Sequence, residues 1–252
     1  MELTNLDSDV VEELREKIAL GCRILGKLKL ADYLGHVSCR VPGTDYVLIK
    51  GRGKVKKGDE WYFTFDEDDL AIATTQKIVL VDLEGIRLED KGTYPPHEVV
   101  LHTEIYKKRP DVQCVVHTHQ PISTSFGSAG TRILPMHCLG AKPIARELPV
   151  FKSSRKIVSH DQGEAVAKVL GDHHACHLKN HGIVVVGSTI EEAVIYSILI
   201  EQQAKMQMLA SIVGTPSPIS DEELELVSKE EAPIQGRWFY YVSLLDDKNV
   251  KA

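Results

Sequence analysis

No apolar run in this 252-residue sequence approaches the roughly 20 residues that a helix needs to cross a bilayer. Positive charge is not in excess either. Thirty Lys and Arg face 36 Asp and Glu, a formal net charge of −6. A general nucleic-acid binder needs a basic footprint, and an anionic membrane attracts no such chain. There is no CxxC pair. The five cysteines, Cys22, Cys39, Cys114, Cys138 and Cys176, are odd in number and widely spaced. They are expected as reduced thiols packed as small hydrophobes in a cytoplasmic protein. The opening MELTNLDSDVVEELREK is acidic and polar, unlike a signal peptide. Internal repeats, low-complexity tracts and inter-domain linkers are also missing. What remains is ordinary globular material, 43% hydrophobic and 26% charged, long enough for one large domain with a substantial core.

The stretch Pro95–Pro121, PPHEVVLHTEIYKKRPDVQCVVHTHQP, organises the chain. Val99, Leu101, His102 and Ile105 have helical spacing, and Pro110-Asp111 stops that helix. Val112–Thr118 is a β-rich apolar run expected as a buried strand. His117 and His119 lie two apart, so on a strand both imidazoles point to one face and can share a divalent metal. Glu98, at the start of the preceding helix, offers a carboxylate to the same spot.

Around this stretch, Asp7 or Ser8 is expected to cap a first helix running to about Leu30. Val37–Val41 and Tyr46–Ile49 read as strands about a Pro42-Gly43 turn. Arg52 follows between glycines, Gly51 and Gly53, and suits a carboxylate or phosphate ligand, or equally a flexible surface turn. His36 reads as a ligand contact or a loop residue. Lys54, Lys56 and Lys57 read as a solvated face. Asp66, Asp68 and Asp69 lack the Gly and distal Glu of a calcium loop, so a cap or exposed turn is expected. Lys77–Leu83 and Ile86–Leu88 form a hairpin. A short helix ending at Gly127 or Gly130 and a strand over Ile133–Met136 follow. Asp161 is expected to cap a helix, with Glu164 at capping-box distance. Strands are expected at Ala175–Leu178 and Ile183–Val186, then a long helix from Ile190 to about Ile212. Beyond it lie a short acidic helix (Asp221–Lys229) and an aromatic cluster at 238–241, which either packs or covers a neighbouring subunit.

His181 precedes the strand IVVVG, with Gly182 freeing the backbone beside it. His117, His119 and His181 would make a three-histidine site with its fourth position open, the pattern of a catalytic rather than structural metal. His173, His174 and His177 are alternative donors, expected as surface loop residues.

With these residues in view the chain resembles the class II aldolase/adducin family. The likeness covers roughly residues 10–212. It rests on the Glu of HEVVLH, the RPDVQCVVHTH block and the NHG opening an apolar strand, in that order. Glu98 and His117 lie 19 residues apart, as in the family. The resemblance implies a single three-layer α/β/α domain with a mostly antiparallel central sheet. It implies one divalent metal per chain on His117, His119 and His181, with Zn2+ the first choice and Mn2+, Co2+ or Fe2+ alternatives. It also implies Glu98 as acid/base and a homotetramer with active sites near subunit interfaces. The catalytic domain is expected over 1–214 and a C-terminal tail over 215–252.

The departures from the family's sugar-phosphate aldolases point to another substrate. Their phosphate-binding Asn, Thr-Gly pair and two Ser are replaced here by His36, Arg52-Gly53 and Pro96-His97. Where they carry a Tyr after the metal strand, this chain reads LPMHCLG with His137. A carboxylate-bearing small molecule suits Arg52 and these histidines better than a sugar phosphate. The expectation is a metal-dependent carbon–carbon lyase resembling the family's decarboxylase branch. It would act on a hydroxylated aromatic or heteroaromatic (di)carboxylate through a metal-stabilised carbanion. His36, Arg52, Gly53, His97 and His137 would bind substrate. Two alternatives stand beside it: an aldolase for a sugar or hydroxy acid, and an adducin-like assembly protein without turnover.

Overall fold

The computed structural model describes residues 6–57, 60–63, 69–90, 92–230 and 232–245. In chain order the elements are α1 (Ser8–Lys27), β1 (His36–Arg40), β2 (Tyr46–Lys50), β3 (Arg52–Lys57), β4 (Glu60–Phe63), β5 (Ile78–Asp82), β6 (Thr93–Tyr94), α2 (Val99–Lys108), β7 (Cys114–Thr118) and α3 (Pro121–Ala129). They continue with β8 (Val150–Phe151), α4 (His160–Leu170), β9 (Ala175–Leu178), β10 (Gly182–Gly187), α5 (Ile190–Val213), α6 (Asp221–Lys229) and α7 (Ile234–Ser243).

Seven strands form one sheet in the order β5-β2-β1-β7-β10-β9-β8, antiparallel throughout except for the β8–β9 pair. Both faces are covered, so its strands read as continuous apolar runs rather than as alternating ones. On β7, Cys114 and Val116 enter the core shared with α1 and α5, while Val115 enters the core shared with α2 and α4. The same alternation holds on β10, with Ile183 and Val185 on one face and Val184 and Val186 on the other. This is the three-layer α/β/α arrangement that the resemblance implies.

A second sheet, β4-β3-β6, leaves the first at Gly51. A Cβ there would sit 2.5 Å from the Thr93 methyl and 2.7 Å from the Tyr94 carbonyl oxygen. Glycine thus serves the approach of one strand to another rather than of backbone to a ligand, and it turns the chain so that Arg52 starts β3.

Local chemistry explains the helix boundaries. Asp7 caps α1, accepting from the Asp9 and Val10 N–H groups. The helix ends at Lys27, short of Leu30, because Lys29 adopts a left-handed φ of 57°. The cap of α4 is Ser159, not Asp161: its hydroxyl accepts from Gln162 N–H, and Gln162 reaches back to complete a capping box. Asp69 caps a 3-10 turn at Leu70–Ile72, whereas Asp66 and Asp68 lie outside the described residues.

Residues 133–136 are not a strand. Gln207 of α5 accepts from Leu134 N–H and Gln203 accepts from Met136 and His137 N–H, so side-chain amides replace a neighbouring strand. His177 is likewise no surface residue: it is buried on β9, its ring against Gly127. Four cysteines are buried and Cys138 is exposed. No described helix is long and apolar enough to cross a membrane.

Candidate metal centre

β7 ends at the middle of the sheet, and its register decides what surrounds its last residues. His117 pairs across to His36 on β1 and to Val184 on β10. It shares the α2-facing side with Val115 and Ser38, and it is fully buried. Its Nδ1 donates to the Ile183 carbonyl oxygen at 3.0 Å. That bond fixes the tautomer and leaves Nε2 with a lone pair aimed outward.

Nε2 of His119 faces Nε2 of His117 at 3.2 Å. His181, just before β10, brings its ring centroid to 5.0 Å from His117 and 5.3 Å from His119. One nitrogen from each ring lies within 4.8 Å of the others. A tetrahedral ion with nitrogen ligands at about 2.05 Å separates those nitrogens by about 3.3 Å, so the donor set fits a divalent metal. Burial holds His117 well below its ordinary pKa and lowers His119, which keeps both lone pairs available.

Glu98 occupies the N-cap position of α2 but makes no capping bond. Its carboxylate turns to the histidines instead, Oε1 at 3.5 Å from His181 Nε2 and Oε2 at 3.9 Å from His117 Nε2. Ile157 N–H donates to Oε1 at 2.8 Å. Burial alone would raise this carboxyl. The His181 hydrogen bond, His117 and the Ile157 N–H outweigh it and bring the pKa down to about 2. Glu98 is therefore ionised at neutral pH.

These groups open into a cavity of about 740 Å³. His36, Arg52 and His97 line it. His36 is buried, with its pKa pushed well down by desolvation, and its Nδ1 has no hydrogen-bond partner among the described residues. The Arg52 guanidinium lies 5.5 Å from the Tyr33 ring. Behind His36, the Ser38 hydroxyl joins His102 Nδ1 and the Tyr106 hydroxyl, each at 2.8 Å, in a buried polar chain.

The structure does not bring every expected residue here. Gly53 pairs with Thr93 in the second sheet and is not part of the cavity lining. His137 is exposed beside α5, lining a separate hollow with Leu139 and Met206, because Gln203 pins its backbone there. Conversely, Tyr33, Lys54, Ser154, Lys156 and Asn180 line the cavity and were not singled out by the sequence. For Lys54 a signal was present: it lies two residues from Arg52 on β3, on the same side. It is no solvated lysine, for its ammonium stands 4.2 Å from the Tyr94 ring centre.

The class II aldolase and adducin N-terminal domain family matches residues 16–208. The chain belongs to this family. A 3,4-dihydroxyphthalate decarboxylase of Arthrobacter keyseri is 31% identical over 209 residues, 79% of each chain. An L-fuculose phosphate aldolase of Methanocaldococcus jannaschii is 31% identical over 169 residues, 65% of this chain and 86% of the relative. Among solved structures, an aldolase II superfamily protein from Pseudomonas syringae superposes with a TM-score of 0.78 at 21% identity, covering 97% of this chain and 96% of its own. That last likeness carries the fold alone. These two relatives are named for decarboxylation and aldol cleavage, both lyase reactions, and the chain is an enzyme of that class.

Proposed function

We infer that the protein is a divalent-metal-dependent carbon–carbon lyase that decarboxylates a hydroxylated aromatic or heteroaromatic dicarboxylate. The observation that carries this reading is the convergence of His117, His119, His181 and Glu98 on one point of a cation-lined cavity. The decarboxylase relative's name supports the substrate class. His117, His119 and His181 would hold the metal, Zn2+ in the first instance. Bound there, it would supply positive charge to stabilise the electron pair left on carbon when carbon dioxide departs.

The chain's own residues do the remainder. Arg52 binds the carboxylate that is retained, using its planar fork. His36 and His97 contact the substrate at the walls. Glu98, ionised and tethered by Ile157, accepts the proton of a substrate hydroxyl and returns it to the carbon that loses carbon dioxide. The carbon–carbon bond breaks, its electron pair stays on the ring, and one proton is taken up overall per carbon dioxide released. Met206, Leu209, Ile212 and Val213 on α5, and Phe239 and Tyr240 on α7, are exposed apolar side chains, which suits burial in a homotetramer.

A second reading, aldol cleavage of a sugar or hydroxy acid, is favoured by the aldolase relative at equal identity. Metal analysis and a carbon-dioxide release assay on hydroxylated aromatic dicarboxylates separate the two. About one metal per chain with carbon-dioxide release supports decarboxylation. Metal with aldehyde release transfers the assignment to aldol cleavage. A metal-free, inert assembly refutes both and leaves the adducin-like alternative.

A further inference from the structure

The connection from β8 to α4, residues 152–159, contributes Ser154 and Lys156 to the cavity lining and is fixed at several points. Ser153 N–H donates to the Phe151 carbonyl at 2.9 Å, and Arg155 N–H to the Ser153 hydroxyl at 3.3 Å. The Ser154 hydroxyl accepts from Asn180 Nδ2 at 3.0 Å, which ties the strap to the residue preceding His181. Ile157 is wholly buried in the α2/α4 core, and its N–H holds Glu98. Val158 N–H is taken by Gln162. A segment bonded in this way presents its side chains from a set position, and the one it presents to the cavity between Ser154 and Ile157 is Lys156.

The charge balance makes that lysine notable. Among the described residues lining the cavity, Arg52, Lys54 and Lys156 are cationic and Glu98 alone is anionic, an excess of two positive charges before any metal binds. Arg52 and Lys54 stand over tyrosine rings. Lys156 makes no ion pair among the described residues. All three cations act on His97 and depress its pKa alongside desolvation, and Lys156 acts on His119 as well. Lys156 shares the lining of one cavity with Arg52, His97, His119 and His181. A dianion, chelated at one end and paired with cations at the other, offsets more of this positive charge than a monoanion does.

Resting on the decarboxylase reading, we propose that Lys156 is a specificity-determining residue: its ammonium, with Arg52, takes the substrate's second carboxylate and so selects dicarboxylates over monocarboxylates. Exposed lysine pairs are weak in free solution, but this one faces a cavity lined by three cations and one carboxylate, so a ligand carboxylate meets little competing negative charge.

The test compares wild type with Lys156→Gln and Lys156→Arg, using carbon-dioxide release from a dihydroxylated benzene dicarboxylate and from its monocarboxylate counterpart. Lys156→Gln is expected to raise KM for the dicarboxylate by about tenfold, the equivalent of one charge-assisted hydrogen bond, and to lower kcat much less. KM for the monocarboxylate stays put, and Lys156→Arg restores most of the discrimination. An equal change for both substrates, or none, overturns the proposal. Calorimetric binding of phthalate and benzoate, which lack the hydroxyl, gives a readout independent of turnover. A phthalate preference lost in Lys156→Gln in a protein that releases no carbon dioxide upholds Lys156 and removes the decarboxylase reading. Carbon-dioxide release with unaltered discrimination does the reverse. Because Lys156 is exposed, an unchanged melting temperature excludes unfolding as the cause.

Discussion

Replacing Gly182 with alanine tests how closely the candidate centre depends on strand approach. Gly182 follows His181 and opens β10, beside the end of β7. A Cβ at this position would stand 2.9 Å from His119 Cδ2 and 3.2 Å from His117 Cε1, and closer still to the Thr118 carbonyl oxygen. Carbon atoms settle near 3.5 Å or beyond, so the His119 ring would have to retreat by about 0.6 Å. Metal–ligand distances tolerate about 0.2 Å. The carbonyl is backbone and cannot rotate away, so β7 and β10 must also part slightly. Gly182→Ala should therefore lower metal affinity by about 10- to 100-fold, the scale seen when a ligand's orientation is disturbed. Overpacking should also cost about 1–3 kcal/mol of stability. Gly236→Ala is the control, since nothing lies within 4 Å of its added methyl. Zinc titration against a competing chelator and urea unfolding measure the two effects. Wild-type affinity and stability in Gly182→Ala would refute the reasoning.

Other substitutions probe separate contacts. His119→Ala should abolish stoichiometric metal and activity together; surviving activity would mean a different ligand set. Tyr106→Phe removes the hydroxyl paired with Ser38 Oγ, whose other partner is His102 Nδ1, and should cost about 1–3 kcal/mol by leaving a buried polar group short of a partner; an unchanged urea midpoint would argue against the buried chain. Ser159→Ala should cost about 1 kcal/mol through the lost cap, read from the same unfolding curve, whereas Asp161→Ala should cost less. The pH dependence of stability tests Glu104. Burial would raise this carboxyl, but Lys107 and His160 outweigh burial and depress it. A depressed carboxylate contributes stability that is complete above its unfolded pKa of about 4.3 and fades as pH falls through the folded value. Glu104→Gln should therefore lose stability near pH 7 and converge with wild type in acid. Parallel curves would remove Glu104 from the account.

Much of the centre was legible because it depends on short-range periodicity. His117 and His119 face one way by strand alternation, and Glu98 and His181 stand at element boundaries that helix and strand patterns mark. The fold followed from the same runs and from the family resemblance. What stayed hidden was tertiary. Lys156 reaches the cavity because Ile157 is buried and its N–H finds Glu98, 59 residues away in sequence. His137 is held away from it by Gln203, a polar residue on a helix whose interest lies in the backbone it captures. The same glutamine explains why the apolar run at 133–136 forms no strand. Ser159 lost to Asp161 as the expected cap because Gln162 fits a capping box as well as Glu164 does.

The His117 Nδ1 bond to Ile183 ties the tautomer of one candidate ligand to the pairing of two central strands. His36 on the neighbouring strand also lines the cavity, but much of the wall comes from elsewhere: Tyr33 before β1, Arg52 and Lys54 on the second sheet, Lys156 on a strap. The candidate ion site and most of the groups proposed to meet substrate thus rest on different parts of the fold. A substitution on β3 or the strap can alter what the cavity contacts while leaving in place the strand pairing that orients His117.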